Sequence, residues 1–302
     1  MEVEKQEGKA TLDKPSMASG AAAAGKAAVT GGNTSDTSGR QTALEVTGLS
    51  KTYPEGKSAV QVLDNINLTV AEGEFVSIVG PSGSGKSTLF HLIGGLTQPD
   101  AGRIALRGRE ITGERGHIAY VPQQPALFPW RTTQDNVALG LEVAGTPLRE
   151  ARTQTREWLA KAGLAGYEEA YPHMLSGGMQ QRAAFLRGLL SPQELMALDE
   201  PFSALDALTR SDMQHWLLEL WEKNRRSVLF ITHSIEEALL LSDRIVLLSG
   251  RPARVLHELT VPFSRPRLPE IAEEPEFLRL RREMTELMRS EQRKMQEGKA
   301  DS

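Results

Sequence analysis

Three short runs hold residue types able to do chemistry on a phosphate chain. Gly80, Pro81, Ser82, Gly83, Ser84, Gly85, Lys86 and Ser87 fit the spacing G-x-x-x-x-G-K-[ST]. Glycines let the backbone curl so that its N–H groups converge on anionic oxygens, and a helix starting at Lys86 adds its positive dipole end. Lys86 is placed to reach the β- and γ-phosphates of a nucleotide and Ser87 to hold Mg²⁺. The run Gly80 to Thr88 is therefore the expected nucleotide cradle. A Gly/Ser-rich turn could match by chance, but here an apolar strand, 75–79, enters the run and an apolar-periodic helix leaves it. The second run, Leu195-Met196-Ala197-Leu198-Asp199-Glu200, is an apolar strand ending in two carboxylates. The strand can set Asp199 beside a metal, usually through water, while Glu200 points elsewhere and is a candidate base for an attacking water. Alone, such a pair is an ordinary solvated strand end; following a phosphate loop, it is a metal ligand and a base. In the third run, Leu175-Ser176-Gly177-Gly178-Met179-Gln180-Gln181-Arg182, Ser176 makes a good N-cap and two glycines leave backbone N–H groups uncovered. This is a second anion-shaped site with no lysine of its own.

The elements needed to position these runs can be read from periodicity. Strand-like runs at 44–46, 60–70 and 75–79 precede the first helix, and 103–106 and 117–121 follow it. Residues 134–190 are mostly helical in pattern, broken at Pro147 and at 163–166. Strand and helix then alternate: 195–198, 205–221, 227–232, 235–241, 244–248 and 253–259. The alternation predicts a parallel sheet with crossover helices, preceded by antiparallel β structure and interrupted by a helical block. Residues 1–42 lack Phe, Trp, Tyr and Ile, and 23 of them are Ala, Gly, Ser or Thr. Such a composition cannot offset its ordering entropy and predicts a disordered head. After the domain at 43–262, prolines at 262, 266, 269 and 275 predict an extended connector, so that 263–302 form a proline-linked tail. There Phe277, Leu280, Met284, Leu287 and Met288 recur at helical spacing, predicting an amphipathic helix that packs on its own domain or receives a partner.

The composition narrows the classes. At ~150 residues per domain, 302 residues would suggest two domains, but the motifs fall in one domain at 43–262, and the excess length is the head and the tail. Thirty-five Lys and Arg against 39 Asp and Glu leave a net charge of −4, which argues against a nucleic-acid backbone as the partner. The absence of cysteine excludes disulfides, thiolate zinc sites and cysteine nucleophiles. The longest apolar runs are strand-sized, far below the ~20 residues of a membrane-spanning helix, and the first residues do not read as a signal peptide. A protein of this kind working at a membrane needs other subunits to hold it there.

Over about residues 43–262 the chain resembles the nucleotide-binding subunit of an ATP-binding-cassette (ABC) transporter. The family's motifs stand in order: the phosphate loop, Gln123, the signature run 175–182, Asp199-Glu200, Ser203-Ala204-Leu205-Asp206, and His233. The resemblance implies a P-loop NTPase α/β fold, with a RecA-like parallel core, an antiparallel β subdomain and a helical subdomain at about 124–192. It implies ATP hydrolysis between two copies arranged head to tail, Ser176 and Gly178 of one capping the γ-phosphate held by the other. It implies that Tyr53 stacks on adenine, that Gln123 senses Mg²⁺ and the attacking water, that Asp199 and Ser87 serve the metal, that Glu200 is the general base, that His233 contacts the γ-phosphate and that Asp206 orders the interface. The family more often has Phe-Gln-Glu where this chain has Pro122-Gln123-Gln124, which leaves Gln124 as a second candidate.

Several stretches resemble the bacterial importers, in particular the nitrate/sulfonate/taurine/bicarbonate group: Tyr171-Pro172-His173-Met174, residues 125–136, residues 242–255, and the tail with Pro262 and Arg265-Pro266-Arg267. The resemblance implies transmembrane permease subunits, a periplasmic or lipid-anchored solute-binding protein, a place on the cytoplasmic face of the membrane, no nucleic acid, and a groove near Phe128 and Trp130 that receives a permease helix. An exporter or lipoprotein-release ATPase is the alternative. A soluble ABC ATPase of DNA repair or translation is a further one, although the chain shows neither the zinc or coiled-coil insertions nor the paired cassettes of those proteins.

Overall fold

A computed structural model describes residues 41–56 and 58–300. The head expected at 1–42 lies outside the described residues up to position 40. Its last residue, Thr42, opens the first strand, and the Gln41 carbonyl accepts from the Glu72 N–H.

Two sheets share one core. The first is antiparallel, built from β1 (Thr42–Glu55), β2 (Ser58–Ala71), β4 (Ala101–Leu106) and β5 (Arg109–Glu110) in the order β2-β1-β4-β5. The second runs β10-β9-β3-β8-β7-β6, formed by β3 (Phe75–Val79), β6 (Ala119–Val121), β7 (Leu195–Asp199), β8 (Ser227–Ile231), β9 (Arg244–Leu248) and β10 (Val255–Thr260). Its pairings are parallel except that of β10 with β9. Strands β3, β7, β8 and β9 are buried along their whole length, as a parallel sheet covered on both faces requires.

The two-residue period of each strand divides the core. Val76, Ile78, Leu195, Ala197, Leu229, Ile231, Val246 and Leu248 face the antiparallel sheet and helix α1 (Lys86–Ile93). Phe75, Met196, Leu198, Val228 and Phe230 face the opposite side. There they meet the helical block of α2 (Thr133–Val143), α3 (Leu148–Lys161) and α4 (Gly177–Leu189), together with α5 (Ala207–Asn224). On that same side Val79, Ile245 and Leu247 meet α6 (Ile235–Leu241) and α7 (Pro275–Ala300).

Several boundaries moved from their predicted places for local reasons. The helix expected from 205 starts at Ala207 because the Asp206 carboxylate accepts the Thr209 N–H as an N-cap, and Leu205 is drawn into the preceding turn by its N–H bond to the Phe202 carbonyl. The connector after β10 is pinned rather than free. Arg265 pairs with Asp243, and Arg267 donates to the carbonyls of Leu239, Leu240 and Ser242 at the end of α6. Those donors satisfy carbonyls that a helix end leaves unpaired. Phe277, Leu280 and Met284 of α7 are buried against Ile235, Ala238 and Leu239, so the tail helix packs on this chain's own body. Among the described residues no helix is long and apolar enough to cross a membrane.

Candidate active site

Among the sequence-predicted residues, the phosphate loop, Gln123, Asp199, Glu200 and His233 lie at the C-terminal ends of β3, β6, β7 and β8, the edge where open parallel sheets bind ligands. β3 delivers the chain into the loop 80–85, which opens directly into α1. Gly83 and Gly85 take φ of +76° and +105°, and a Cβ on Gly85 would come within 2.6 Å of the Val62 side chain. Only glycine suits that position. Lys86 is 6 % exposed, and its ammonium donates to the carbonyls of Gly80 (2.9 Å) and Pro81 (3.0 Å). Burial holds its pKa below a lysine's ordinary value, against the opposing pull of Glu200 and Asp199. The Ser84 hydroxyl is buried with no hydrogen-bond partner among the described residues. A buried lysine and an orphaned hydroxyl in a curled glycine loop fit an anionic, oxygen-rich ligand.

Asp199 ends β7 with one oxygen 3.4 Å from the Ser87 hydroxyl and the other accepting from Tyr120 OH at 3.1 Å. Burial raises the carboxyl's pKa and the Glu200 charge adds to this, while bonds from Ser87 and Tyr120 oppose it. The same burial, with Asp199 beside it, pushes the Tyr120 phenol up. Glu200 leaves the strand at φ +43°, a left-handed conformation that costs a non-glycine residue roughly 1 kcal/mol. Its N–H bonds the Ile231 carbonyl across to β8, and its carboxylate lies 3.3 Å from His233 Nδ1. The strained turn thus separates two adjacent acids, one towards Ser87 and one towards His233.

Gln123 donates to the Ser203 hydroxyl at 3.0 Å, and that hydroxyl donates to the Glu200 carbonyl at 2.9 Å. Arg187 of α4 donates to the carbonyls of Pro125 and Ala126, tying the loop after Gln123 to the signature helix. Beyond it, the Asn136 side chain bonds the N–H and carbonyl of Phe128 and the carbonyls of Arg131 and Thr132. This grip presents Trp130, 71 % exposed and stacked on Phe128 at 5.1 Å.

Tyr53 pairs with Val60 across β1 and β2, and both pack on the cluster containing Val62, the residue against Gly85. The contacts of Ser176 and Gly178 run elsewhere. Ser176 caps α4 by accepting the Met179 N–H, and a Cβ on Gly178 would come 2.7 Å from Thr209 at the start of α5. Gly178 therefore has a packing reason within its own chain, while Gly177 faces open space. Sequence reasoning missed Tyr120, the second partner of Asp199. Its phenol is half-buried between two buried neighbours on the strand leading to Gln123. It also missed Glu237, whose carboxylate accepts from Thr232, the residue before His233.

A family profile described as ABC transporter matches residues 63–203. The formylaminopyrimidine import ATP-binding protein ThiZ of Halalkalibacterium halodurans is 46% identical over 219 residues, covering 72% of this chain and 86% of that protein. The nitrate import ATP-binding protein NrtD of Synechocystis sp. is 40% identical over 252 residues, covering 82% of this chain and 95% of that protein. Among solved structures, an ATP-binding cassette determined as a dimer in a post-hydrolysis state, bound to ADP and Pi, superposes with a TM-score of 0.65 at 33% identity, covering 73% of this chain and all of that one.

Proposed function

Because this chain belongs to the ABC transporter family, as the ATP-binding subunit of an importer, we propose that its clustered strand ends hydrolyse ATP with Mg²⁺ to drive uptake of a small solute. The observation that carries this reading is the meeting, at one sheet edge, of the phosphate loop, the buried Asp199 and the Glu200–His233 pair. The solute class follows from the relatives, which are named for import of nitrate and formylaminopyrimidine. It is a small organic or inorganic anion, or a comparably polar compound.

Gly80, Pro81, Ser82, Gly83, Ser84, Gly85, Lys86, Ser87 and Thr88 would hold the phosphates, with Tyr53 against the adenine. Ser87, Asp199 and Gln123 would hold Mg²⁺, which would supply positive charge to offset what develops on the phosphate during transfer. Burial makes Asp199 reluctant to ionise alone, so a cation at this point stabilises the ionised form it requires. Glu200 takes the proton of the attacking water, His233 holds Glu200 in place and meets the γ-phosphate, and Gln123 reports through Ser203 to the Glu200 turn.

A second copy, head to tail, completes the site with Ser176 and Gly178, and the shared nucleotide joins two equivalent faces. Permease subunits in the membrane dock on the Phe128–Trp130 ledge, the cassette lies on the cytoplasmic face, and a solute-binding protein serves the far side. Closure of the two copies around ATP reaches the ledge by the Arg187 tie, and hydrolysis releases it. The test is reconstitution with the permease. Trp130→Ala is expected to keep at least half of the ATPase rate of the isolated subunit while ATP-driven uptake falls more than tenfold. Uptake at the wild-type rate would refute the docking role.

A further inference from the structure

The turn at 249–254 between β9 and β10 takes no part in the chemistry above, yet it surrounds the phosphate loop from outside. At the loop's start, the Leu248 carbonyl lies 3.0 Å from where a Cβ on Gly80 would stand. In its middle, Arg251 Nε donates to the Gly83 carbonyl at 2.5 Å. At its end, Gly85 abuts Val62 and Leu63 of β2, and β2 is bound to the same turn. The Ala253 N–H donates to the Val62 carbonyl (2.9 Å), the Asp64 N–H to the Ala253 carbonyl (3.0 Å), and Arg254 pairs with Asp64. The turn is braced within itself by the Ser249 N–H to the Arg254 carbonyl and the Arg254 N–H to the Ser249 hydroxyl. Its outer side is closed by α7. The buried Glu291 carboxylate accepts the Gly250 N–H at 3.5 Å, and a Cβ on Gly250 would come 2.2 Å from Met295 Cγ.

We propose that this turn is a collar that keeps the phosphate loop curled for nucleotide, with Arg251 as its positioning residue and the last turns of α7 as its brace. The inference rests on the phosphate-loop reading above. A loop whose N–H groups face an anion must turn carbonyls away from it, and an outward carbonyl held by a guanidinium fixes that orientation in advance. A loop ordered before binding loses less entropy when ATP arrives, so the collar acts on affinity and leaves the hydrolysis step alone.

The experiment compares ATP affinity, KM and kcat in full-length variants. Arg251→Ala is expected to weaken ATP binding and raise KM by about fivefold, the scale of one hydrogen bond, with kcat within about twofold of wild type. Arg251→Lys, which keeps a donor of similar reach, restores most of the affinity. Met295→Ala weakens binding in the same direction but less, and adds nothing to Arg251→Ala, because both act through one contact. The Arg251→Ala effect persists at about 0.5 M salt, where the field of an exposed charge is screened. Wild-type affinity in Arg251→Ala, a loss confined to kcat, or an effect abolished by salt would each overturn the collar. Lys86→Ala separates the two readings. If it binds ATP as wild type does, the phosphate-loop reading fails; if it loses ATP while Arg251→Ala binds normally, only the collar fails.

Discussion

Glu200 occupies a left-handed conformation that the chain tolerates because the Ile231 carbonyl and Ser203 hold both ends of its peptide. An isosteric amide keeps that geometry and removes the base. Glu200→Gln is expected to bind ATP normally and to hydrolyse it ~10²–10⁴-fold more slowly in a single-turnover assay; an unchanged rate would remove Glu200 from the mechanism. Lys86 makes a prediction about pH. Its folded pKa lies below 10.5 because burial disfavours the ammonium, and ATP phosphates favour that form. Alkaline pH therefore deprotonates Lys86 in the free protein first, so affinity falls as pH rises through its depressed pKa and binding takes up protons in that range. Calorimetry in buffers of different ionisation enthalpy would detect the uptake. In the free protein the unfolded chain binds the proton more tightly between the two pKa values, so this residue's contribution to stability rises with pH there.

At the scale of elements, the loop-to-helix passage at Lys86 and the strand ending in Asp199 were legible because their types, spacing and flanks are local. The partners of those residues were not. Tyr120 and Ser203 meet Asp199 and Gln123 only through strand order and crossover geometry, which no short window encodes. Likewise the packing of Gly178 beside Thr209, between the starts of two helices, was not legible in the run that holds it. The tail shows the same division. Its helical period was evident, but the choice between packing inward and receiving a partner depended on the apolar face of α6, now seen to be covered by Phe277, Leu280 and Met284. Phe277 is 0 % exposed, so Phe277→Ala is expected to cost ~3–5 kcal/mol by urea denaturation. A loss below about 1 kcal/mol would show that α7 is not part of the folded core.

For the molecule as a whole, the proposed head-to-tail arrangement has the signature serine of one copy complete the phosphate-loop site of the other. Glu200→Gln with ATP is expected to run as a dimer in size-exclusion chromatography and as a monomer without nucleotide, and a further Ser176→Arg change should keep it monomeric with ATP. A monomer throughout would refute the head-to-tail arrangement. The position of β3 has another consequence. It lies between β8 and β9, so the strand that delivers the phosphate loop is flanked by residues 227–231 and 244–248, translated some 150 positions later. On the ribosome the strand that carries the loop lacks both its sheet neighbours until nearly the whole domain has emerged. A chain broken off in the middle of synthesis thus carries the nucleotide motif without the means to shape it, and ATP turnover is withheld until the protein is nearly whole.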